Sequence, residues 1–250
     1  MLFSGQGKVF AYVRDSAGNP GAGKFLGNCS SLEVALEQAE VDKRESTTGQ
    51  RLLMHRLITQ KDANLTMVLD EFLPDNLGLG LYGEAATIAG STVSDEEFPD
   101  ELAVGDFVRL EQQDVSSVVI VDSDAGPTTL TENTHYRIES AKHGSIEILD
   151  LAALVQPFLA DYTYAGAVNI AMFTTPPPIR WLRFEGLNTA DSDAPVLVEL
   201  YNVQLNPIEA LSLINDEYGA LSITGASLFD AVRSADAGFG PFGRFMQVAA

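Results

Sequence analysis

Short runs in which apolar and polar side chains alternate recur along this chain, and they restrict it to a fold built mainly from strands. In the run from 63 to 72, Leu65, Met67 and Leu69 fall on one face. A period of two residues is typical of a half-buried strand. By similar reasoning strands are predicted at 9–13, 107–110, 118–121, 146–149, 162–173, 182–185, 196–203 and 221–224.

The turns between these runs favour an antiparallel arrangement. Asp122 to Pro127 and the pair His143-Gly144 supply turn residues, and the neighbouring strands follow at intervals of about 8–12 residues. Such spacing is typical of sandwiches and barrels. The expected fold class is therefore mainly β, an antiparallel β-sandwich or barrel-like fold with one or two short helices.

Two segments carry helix signals. Asp75 to Tyr82 follows Pro74 and is expected to be a short helix with Leu77 and Leu81 facing inward. The second signal is a capping box, in which Asn206 caps a helix that begins at a proline and has a glutamate at its third position. The face of this second helix is predicted to carry Ile208, Leu211 and Ile214.

Charge divides the chain into three stretches. The chain has 35 acidic and 15 basic residues, a formal net charge of −20. Residues 1–83 carry ten acidic and eight basic residues, residues 84–165 sixteen and three, and residues 166–250 nine and four. This contrast predicts a β-rich core made of 1–83 and 166–250, interrupted by an acidic β-rich insertion or subdomain at 84–165.

The same charge disfavours several classes of partner. Phosphate neutralisation on nucleic acid and binding to anionic membranes both begin with repulsion of an acidic chain. One cysteine, Cys29, allows neither an internal disulfide nor a thiolate zinc site. The first residues lack a signal-peptide pattern and no apolar run reaches 18 residues, so we expect a protein made in the cytoplasm and outside membranes.

No motif predicts catalysis. Gly18 to Lys24 matches a phosphate loop, but Phe25 stands where a magnesium-binding Ser or Thr is needed, so a hairpin loop is the better interpretation. The histidines lack metal-site spacing, and Cys29 is expected to be a buried thiol. We therefore expect no enzyme activity, no catalytic residues, no metal and no cofactor.

Several patches in order along the chain carry a resemblance. They are Gly7–Tyr12, Phe25–Val34, Ser46–Leu52, Leu65–Phe72, Asn76–Gly83, Thr134–Glu139, Asp161–Tyr164, Leu182–Asn188 and Val198–Pro207. Together they resemble the major tail (tail tube) proteins of long, non-contractile-tailed bacteriophages, from about residue 5 to residue 230.

The resemblance implies a structural virion protein. It implies a β-sandwich with a flanking helix and six-membered rings that stack into the tail tube, a hollow conduit for DNA ejection. The implied partners are further copies of the chain, other tail proteins such as the tape measure and the tail terminator, and viral DNA that passes without specific binding. The implied location is the virion tail, assembled in the host cytoplasm, with no membrane partner.

Two groups of site residues follow. In this family the long hairpin between early strands bridges to the adjacent ring, which here implies Glu40, Asp42, Lys43, Arg44, Glu45, Thr47 and Gln50. Residues 39–50 are expected to be a charged loop of a long hairpin. The glycine- and phenylalanine-rich end is interpreted either as a frayed tail or as an interface segment whose anchors are Phe239, Phe242 and Phe245.

Two points stay open at the level of sequence. The alternative function is a carbohydrate- or receptor-binding β-sandwich of a virion or cell surface, with Trp181, Tyr162 and Tyr164 as stacking platforms. An acidic wall also suits a DNA conduit, because like charge keeps DNA from adhering. If 84–165 faces outward, this argument weakens, since the flanking stretches carry much less net charge.

Overall fold

In the computed structural model, which describes residues 2–151 and 154–247, the expectation of a mainly β chain is confirmed. Strands hold 51% of the residues and helix 3%, and the sheets are antiparallel. The chain divides into two compact units, Met1–Ala85 with Ile170–Ala250 and Ala86–Asn169. These boundaries lie within four residues of the changes in charge at 83/84 and 165/166. Within the described residues, no helix is long and apolar enough to cross a membrane.

The described elements follow one another along the chain. They are β1 Gly5–Arg14, β2 Pro20–Phe25, β3 Cys29–Arg44, β4 Leu53–Leu69, α1 Pro74–Leu81, β5 Ala85–Ile88, β6 Ser91–Glu97, β7 Phe107–Arg109, β8 Val115–Val121, β9 Tyr136–Ser140, β10 Ser145–Ile148, β11 Leu159–Tyr164, β12 Ala167–Ile170, β13 Ile179–Asn188, β14 Ala194–Leu205, β15 Leu221–Ser227 and β16 Gly243–Gln247.

The first unit contains an eight-stranded antiparallel sheet in the order β2-β1-β13-β14-β15-β4-β3, with β16 paired to β14. Besides β13, strand β14 pairs with two further strands along different segments. Residues 203–205 pair with β15, and residues 196–200 pair with β16. The core of the first unit is formed by residues of its strands, by Leu26 directly after β2 and by α1. Its buried residues are Val9, Ala11, Leu26, Leu65, Met67, Leu69, Leu79, Leu182, Leu200, Val203, Leu205, Leu221 and Ile223.

Helix α1 confirms the first helix prediction but not its inward face. Of the two leucines predicted to face inward, Leu77 packs partly buried against the core and Leu81 is half-buried, whereas the fully buried leucine is Leu79. The reason is close packing at the two glycines. A Cβ on Gly80 would lie 2.7 Å from the Ile208 side chain, and one on Gly78 would lie 2.9 Å from the Gly83 carbonyl. Gly80 therefore allows the helix to approach Ile208 and Ile223 closely, next to the buried Leu79.

The second helix prediction, at 207–214, is wrong. The backbone N–H of Asn206 donates to Thr224 O at 2.8 Å, and that of Ile208 donates to Gly80 O at 2.9 Å. Both contacts tie the chain to β15 and α1, and no helical hydrogen bond follows them in the described chain. Of the predicted face, Ile208 and Leu211 pack against the core, whereas Ile214 is 97% exposed.

The single strand predicted at 162–173 is also wrong. It is two strands, β11 and β12, that have different partners. β11 pairs with β6 and β8, and β12 pairs with β5. The chain leaves the first pairing where Ala165 donates its N–H to Asp114 O at 3.1 Å, and the backbone of Gly166 then lies against Ile88.

The second unit has its own core between two three-stranded sheets, β7-β10-β9 and β6-β11-β8. The buried residues of this core are Phe98, Val108, Leu110, Val115, Ile120, Leu130, Tyr136, Ile146, Ile148, Phe158, Ala160 and Tyr162. Each sheet contributes alternate side chains, which explains why so acidic a stretch still folds. Its charges remain mostly on exposed positions, with Asp122 as a buried exception at 2% exposure.

The core of the first unit gives a stability prediction. Leu65 is 1% exposed in β4, and Leu65→Ala is expected to reduce the free energy of unfolding by about 2–5 kcal/mol, because it leaves a cavity. The matched control is Leu36→Ala in β3, where the side chain is 78% exposed, and it is expected to change stability by less than about 0.5 kcal/mol.

The measurement is denaturant unfolding followed by the fluorescence of Trp181, the sole tryptophan, which lies in the same unit and is 5% exposed. Equal midpoints for the two variants would contradict the placement of Leu65 in the core.

Candidate functional site

The hairpin of β3 and β4 extends beyond the sheet to which it belongs. β15 pairs with β4 only from Asn64 to Leu69. Beyond Asn64, the two strands pair only with each other, from Glu37 opposite Asp62 to Arg44 opposite Leu53. We call residues 37–62 the arm. At about 3.3 Å per residue, its eight residues in β3 span about 26 Å.

The arm has almost no buried surface of its own. Every residue of 37–44 and of 53–61 is exposed. A two-stranded hairpin without a third strand or a packed face is at best marginally stable in water. The arm therefore depends on its attachment to the sheet and, in a larger assembly, on whatever covers it.

Ion pairs across the ribbon link the two strands. The Arg56 guanidinium lies 2.8 Å from a Glu40 carboxylate oxygen and 2.8 Å from one of Asp42. Hydrogen bonding and charge from Arg56 lower the pKa of Asp42, and the two carboxylates raise the pKa of Arg56. Because these side chains are in water, the pairs contribute little to stability and mainly fix the register.

Glu45 organises the tip of the arm, which we define as residues 43–54. Its carboxylate accepts hydrogen bonds from both the hydroxyl and the backbone N–H of Thr47 and of Thr48. These bonds, the Thr48 hydroxyl first, lower the pKa of Glu45 from 4.5 to about 2. The turn closes with a backbone bond of 2.9 Å from Glu45 N to Leu52 O.

The arm contains all seven residues predicted for the inter-ring hairpin, although not in the form predicted. Glu40, Asp42, Lys43 and Arg44 lie in β3, so the expectation of a loop over 39–50 is wrong for 39–44. The reason is that β4 offers each of these residues a pairing partner. Glu45, Thr47 and Gln50 lie in the connection itself, and their role in contacts between rings stays a prediction.

The charges of the arm differ from those of the rest of the chain. Residues 37–62 hold five acidic and five basic residues, so the whole net charge of −20 lies elsewhere. Glu40 and Asp42 are paired internally, but Lys43 and Arg51 make no ion pair within the described part of the chain. The charges that the tip leaves available to a partner are therefore mainly positive.

The arm also presents apolar side chains that the sequence analysis did not single out. Leu36, at its base, is 78% exposed, and Leu52 and Met54, at its tip, are 56% and 71% exposed. Along the ribbon, Val41 lies opposite Leu57, and both are exposed. The signal in the sequence that could have predicted this surface is a group of apolar residues next to a densely charged stretch. Exposed apolar groups clustered on one element mark interaction surfaces.

The C-terminal segment packs on its own chain, so the interpretation as a frayed tail is wrong for 237–247. β16 pairs with β14, and the carbonyl of Phe242 accepts hydrogen bonds from Tyr201 N and Ser227 Oγ. The Phe239 ring lies 6.0 Å from that of Tyr201. Only Phe245 remains largely exposed, at 57%, so insertion of these rings into a neighbour stays a prediction chiefly for Phe245.

Two of the three platforms proposed for the carbohydrate-binding alternative are buried. Trp181 is 5% exposed, between the Tyr201 ring at 4.8 Å and the Arg233 guanidinium at 4.6 Å. Tyr162 is 1% exposed, and its hydroxyl donates to Glu96. Burial, with the Glu96 carboxylate, raises the pKa of Tyr162. Tyr162 packs in the core of the second unit, and Trp181 is largely covered by Tyr201 and Arg233.

The residues considered for chemistry take part in local contacts. Lys24, in the stretch that resembles a phosphate loop, lies in β2 of the β1/β2 hairpin, and its ammonium group pairs with Asp75 of α1 at 2.5 Å. His135 Nδ1 accepts the Thr131 N–H at 2.8 Å. Burial raises the pKa of the half-buried Cys29 thiol. Over 2–151 and 154–247, no group of three or more side chains could hold a metal ion.

The tip gives a prediction about pH. Because the pKa of Glu45 is lowered, the order that it gives the turn is complete above about 4.5 and is lost as the pH falls through about 2. Thr48→Val removes the largest cause of this shift, and the pKa of Glu45 is expected to rise toward its ordinary value. The measurement is a carbon-13 NMR titration of the carboxyl group.

The control for this titration is Thr59→Val. The Thr59 hydroxyl bonds to Ala39 O at 3.2 Å on the same arm, and not to Glu45. A shift of the Glu45 titration in the control as large as that in Thr48→Val would contradict the local origin of the lowered pKa.

Comparison with known proteins gives a family but no function. A search of curated proteins finds no match to the chain. The model of one family, described as "Protein of unknown function UCP028589", matches residues 2–246, which include both units and the whole arm. The chain therefore belongs to this family of proteins of unknown function.

Proposed function

We propose that the chain is a structural virion protein that self-assembles into stacked six-membered rings, and that these rings form the tail tube of a long, non-contractile-tailed bacteriophage. The number of subunits and the phage context come from the resemblance in sequence. The observation that carries the proposal is the arm, a two-stranded ribbon about 26 Å long whose side chains are exposed.

The arm supports assembly because it gains stability only when it is covered. Leu36, Val41, Leu52, Met54 and Leu57 are between 56% and 78% exposed. Burying a Leu or Met side chain contributes roughly 1.5–3 kcal/mol. An interface with an adjacent subunit would bury several of these residues at once, and the internal ion pairs of Arg56 would hold the ribbon straight for docking.

The edges of the sheet support lateral association into a ring. The hydrogen-bonded order ends at β2 on one side and at β3 on the other. All six residues of β2 are exposed. Unpaired edges are sites at which another chain can add a strand, and pairing around a closed ring removes them.

Charge supports passage of DNA without binding. Both units are acidic, since residues 86–169 hold 15 acidic and three basic residues and the rest of the chain holds 20 and 12. A wall with excess negative charge would repel phosphates, whereas a basic wall would retain DNA through counterion release. The same charge keeps free subunits apart until salt screens it.

Shortening the arm tests the proposal. Residues 40–59 are replaced by Asn-Gly, so that the paired residues Ala39 and Gln60 flank a two-residue turn. The full-length chain is expected to form rings and hollow tubes of uniform width as concentration and salt rise. The shortened chain is expected to give single rings or free subunits and no tubes, because it lacks the contact between rings. Negative-stain electron microscopy and sedimentation measure the outcome.

Two controls make this result specific. Trp181 fluorescence reports that the first unit of the shortened chain is folded, because that residue lies in the sheet and not in the arm. Val104→Ser with Val168→Ser removes two valines of the second unit that are 62% and 56% exposed, and this variant is expected to assemble normally. Tubes from the shortened chain, or a full-length chain that never assembles, would overturn the proposal.

A further inference from the structure

The connection between β14 and β15, residues 206–220, exposes large apolar side chains. Leu213 is 81% exposed, Ile214 is 97% exposed and Tyr218 is fully exposed. We call this connection, residues 206–220, the connecting segment. Three large apolar groups within six residues in water are unfavourable unless something covers them.

The backbone of the connecting segment is open as well. Within the described chain, residues 209–220 neither donate nor accept a backbone–backbone hydrogen bond. The segment is held at its two ends, by the bond from Ile208 N to Gly80 O at one end and by the pairing of Leu221 with Leu69 at the other. Near its second end, Gly219 lies against the Phe72 ring. Between these points Leu211 packs against the core, whereas Leu213, Ile214 and Tyr218 are exposed and can contact a partner.

The charges of the connecting segment complement those of the arm tip. The segment contains Glu209, Asp216 and Glu217 and no basic residue, and none of the three forms an ion pair in the described chain. The arm tip offers Lys43 and Arg51 without ion pairs, beside the exposed side chains of Leu52 and Met54. Each surface thus combines apolar groups with charges that the other can pair.

The two surfaces lie at opposite ends of one strand. β4 begins at the arm tip with Leu53 and ends at Leu69, where it pairs with Leu221, the first residue after the connecting segment. Its 17 residues span up to about 56 Å at about 3.3 Å per residue. Because the strand separates them, the arm tip of one chain cannot reach the connecting segment of the same chain. The arm tip of a second copy in the same orientation can reach it.

We infer that the arm tip of one copy binds the connecting segment of the next copy along the axis of β4. Leu52 and Met54 pack against Leu213, Ile214 and Tyr218, while Lys43 and Arg51 pair with Asp216 and Glu217. This contact is heterologous, because two different surfaces meet, and it repeats without closing. The inference rests on the proposed function and names the surface that receives the arm.

Charge reversal on each side tests the pairing. Lys43→Glu with Arg51→Glu is expected to reduce assembly at least tenfold at moderate salt, because like charges would face each other. Asp216→Lys with Glu217→Lys is expected to do the same. In the chain with all four substitutions the charges of the two surfaces are exchanged, so opposite charges face each other again. Its assembly is expected to recover to within about threefold of that of the unsubstituted chain. Sedimentation at matched concentration measures the tubes.

The matched control is Asp100→Lys with Glu101→Lys. Both residues are exposed, and the substitution changes the net charge as much as the change at 216 and 217 does. It is expected to leave assembly intact, which separates loss of a specific pair from a change in total charge.

Crosslinking gives a second readout that does not depend on charge. With oxidised glutathione as the oxidant and in a Cys29→Ser background, Gln50→Cys with Asn215→Cys is expected to form disulfide-linked chains of many subunits within assembled tubes, whereas either cysteine alone is expected to give no such ladder. Trp181 fluorescence verifies folding of every variant.

The outcomes separate the inference from the proposed function. Tubes that form normally with either charge reversal, and no ladder from the two cysteines, would overturn the docking of the tip on the connecting segment while leaving a tube subunit in place. Absence of any assembly by the original chain would overturn both. Recovery by the fourfold variant together with the ladder would support both.

Discussion

The antiparallel pairing of β3 with β4 is the interaction on which the rest of this structure depends. At its inner end the pair carries Leu65, Met67 and Leu69 into the core, and β4 there serves as the partner of β15. At its outer end the same pairing continues with no third strand, and the side chains are exposed. The pairing of these two strands, with bulges at Ala39/Glu40 and Lys43/Arg44, thus couples a stable sheet to an element that is marginally stable alone.

This coupling explains how a projecting arm can remain ordered in the free chain. Register is set in the core, where a slip of one residue would expose every buried side chain of β4. The register shifts between Ala39 and Glu40, and beyond that bulge Arg56 pairs with Glu40 and Asp42 across the two strands. The apolar groups that the arm exposes cost stability in the free chain, and burial in an assembly would recover it.

The C-terminal segment secures the opposite part of the sheet. Asp230 is 3% exposed and pairs with Arg14 at 2.7 Å, joining the segment before β16 to β1. The Arg244 guanidinium lies 4.2 Å from the Phe239 ring and pairs with Glu199 at 2.7 Å, on β14. These contacts use the charged residues and Phe239 of the segment inside the subunit, whereas Phe229, Val232 and Phe245 remain 61%, 65% and 57% exposed.

The sequence by itself determined the strands of the core, because alternation in runs such as 63–69 reports directly which side chains are buried. It also determined the change in charge near 84 and 165 and the position of α1. Tertiary structure alone decided that 39–44 is strand, since pairing depends on a partner that is distant in sequence. It likewise overrode the capping box at 206–209, because Thr224 and Gly80 accept the N–H groups of Asn206 and Ile208 and tie the segment to β15 and α1. Local patterns record burial and propensity, whereas the length of an unpartnered ribbon and the fate of a helix signal depend on contacts that only the folded chain provides.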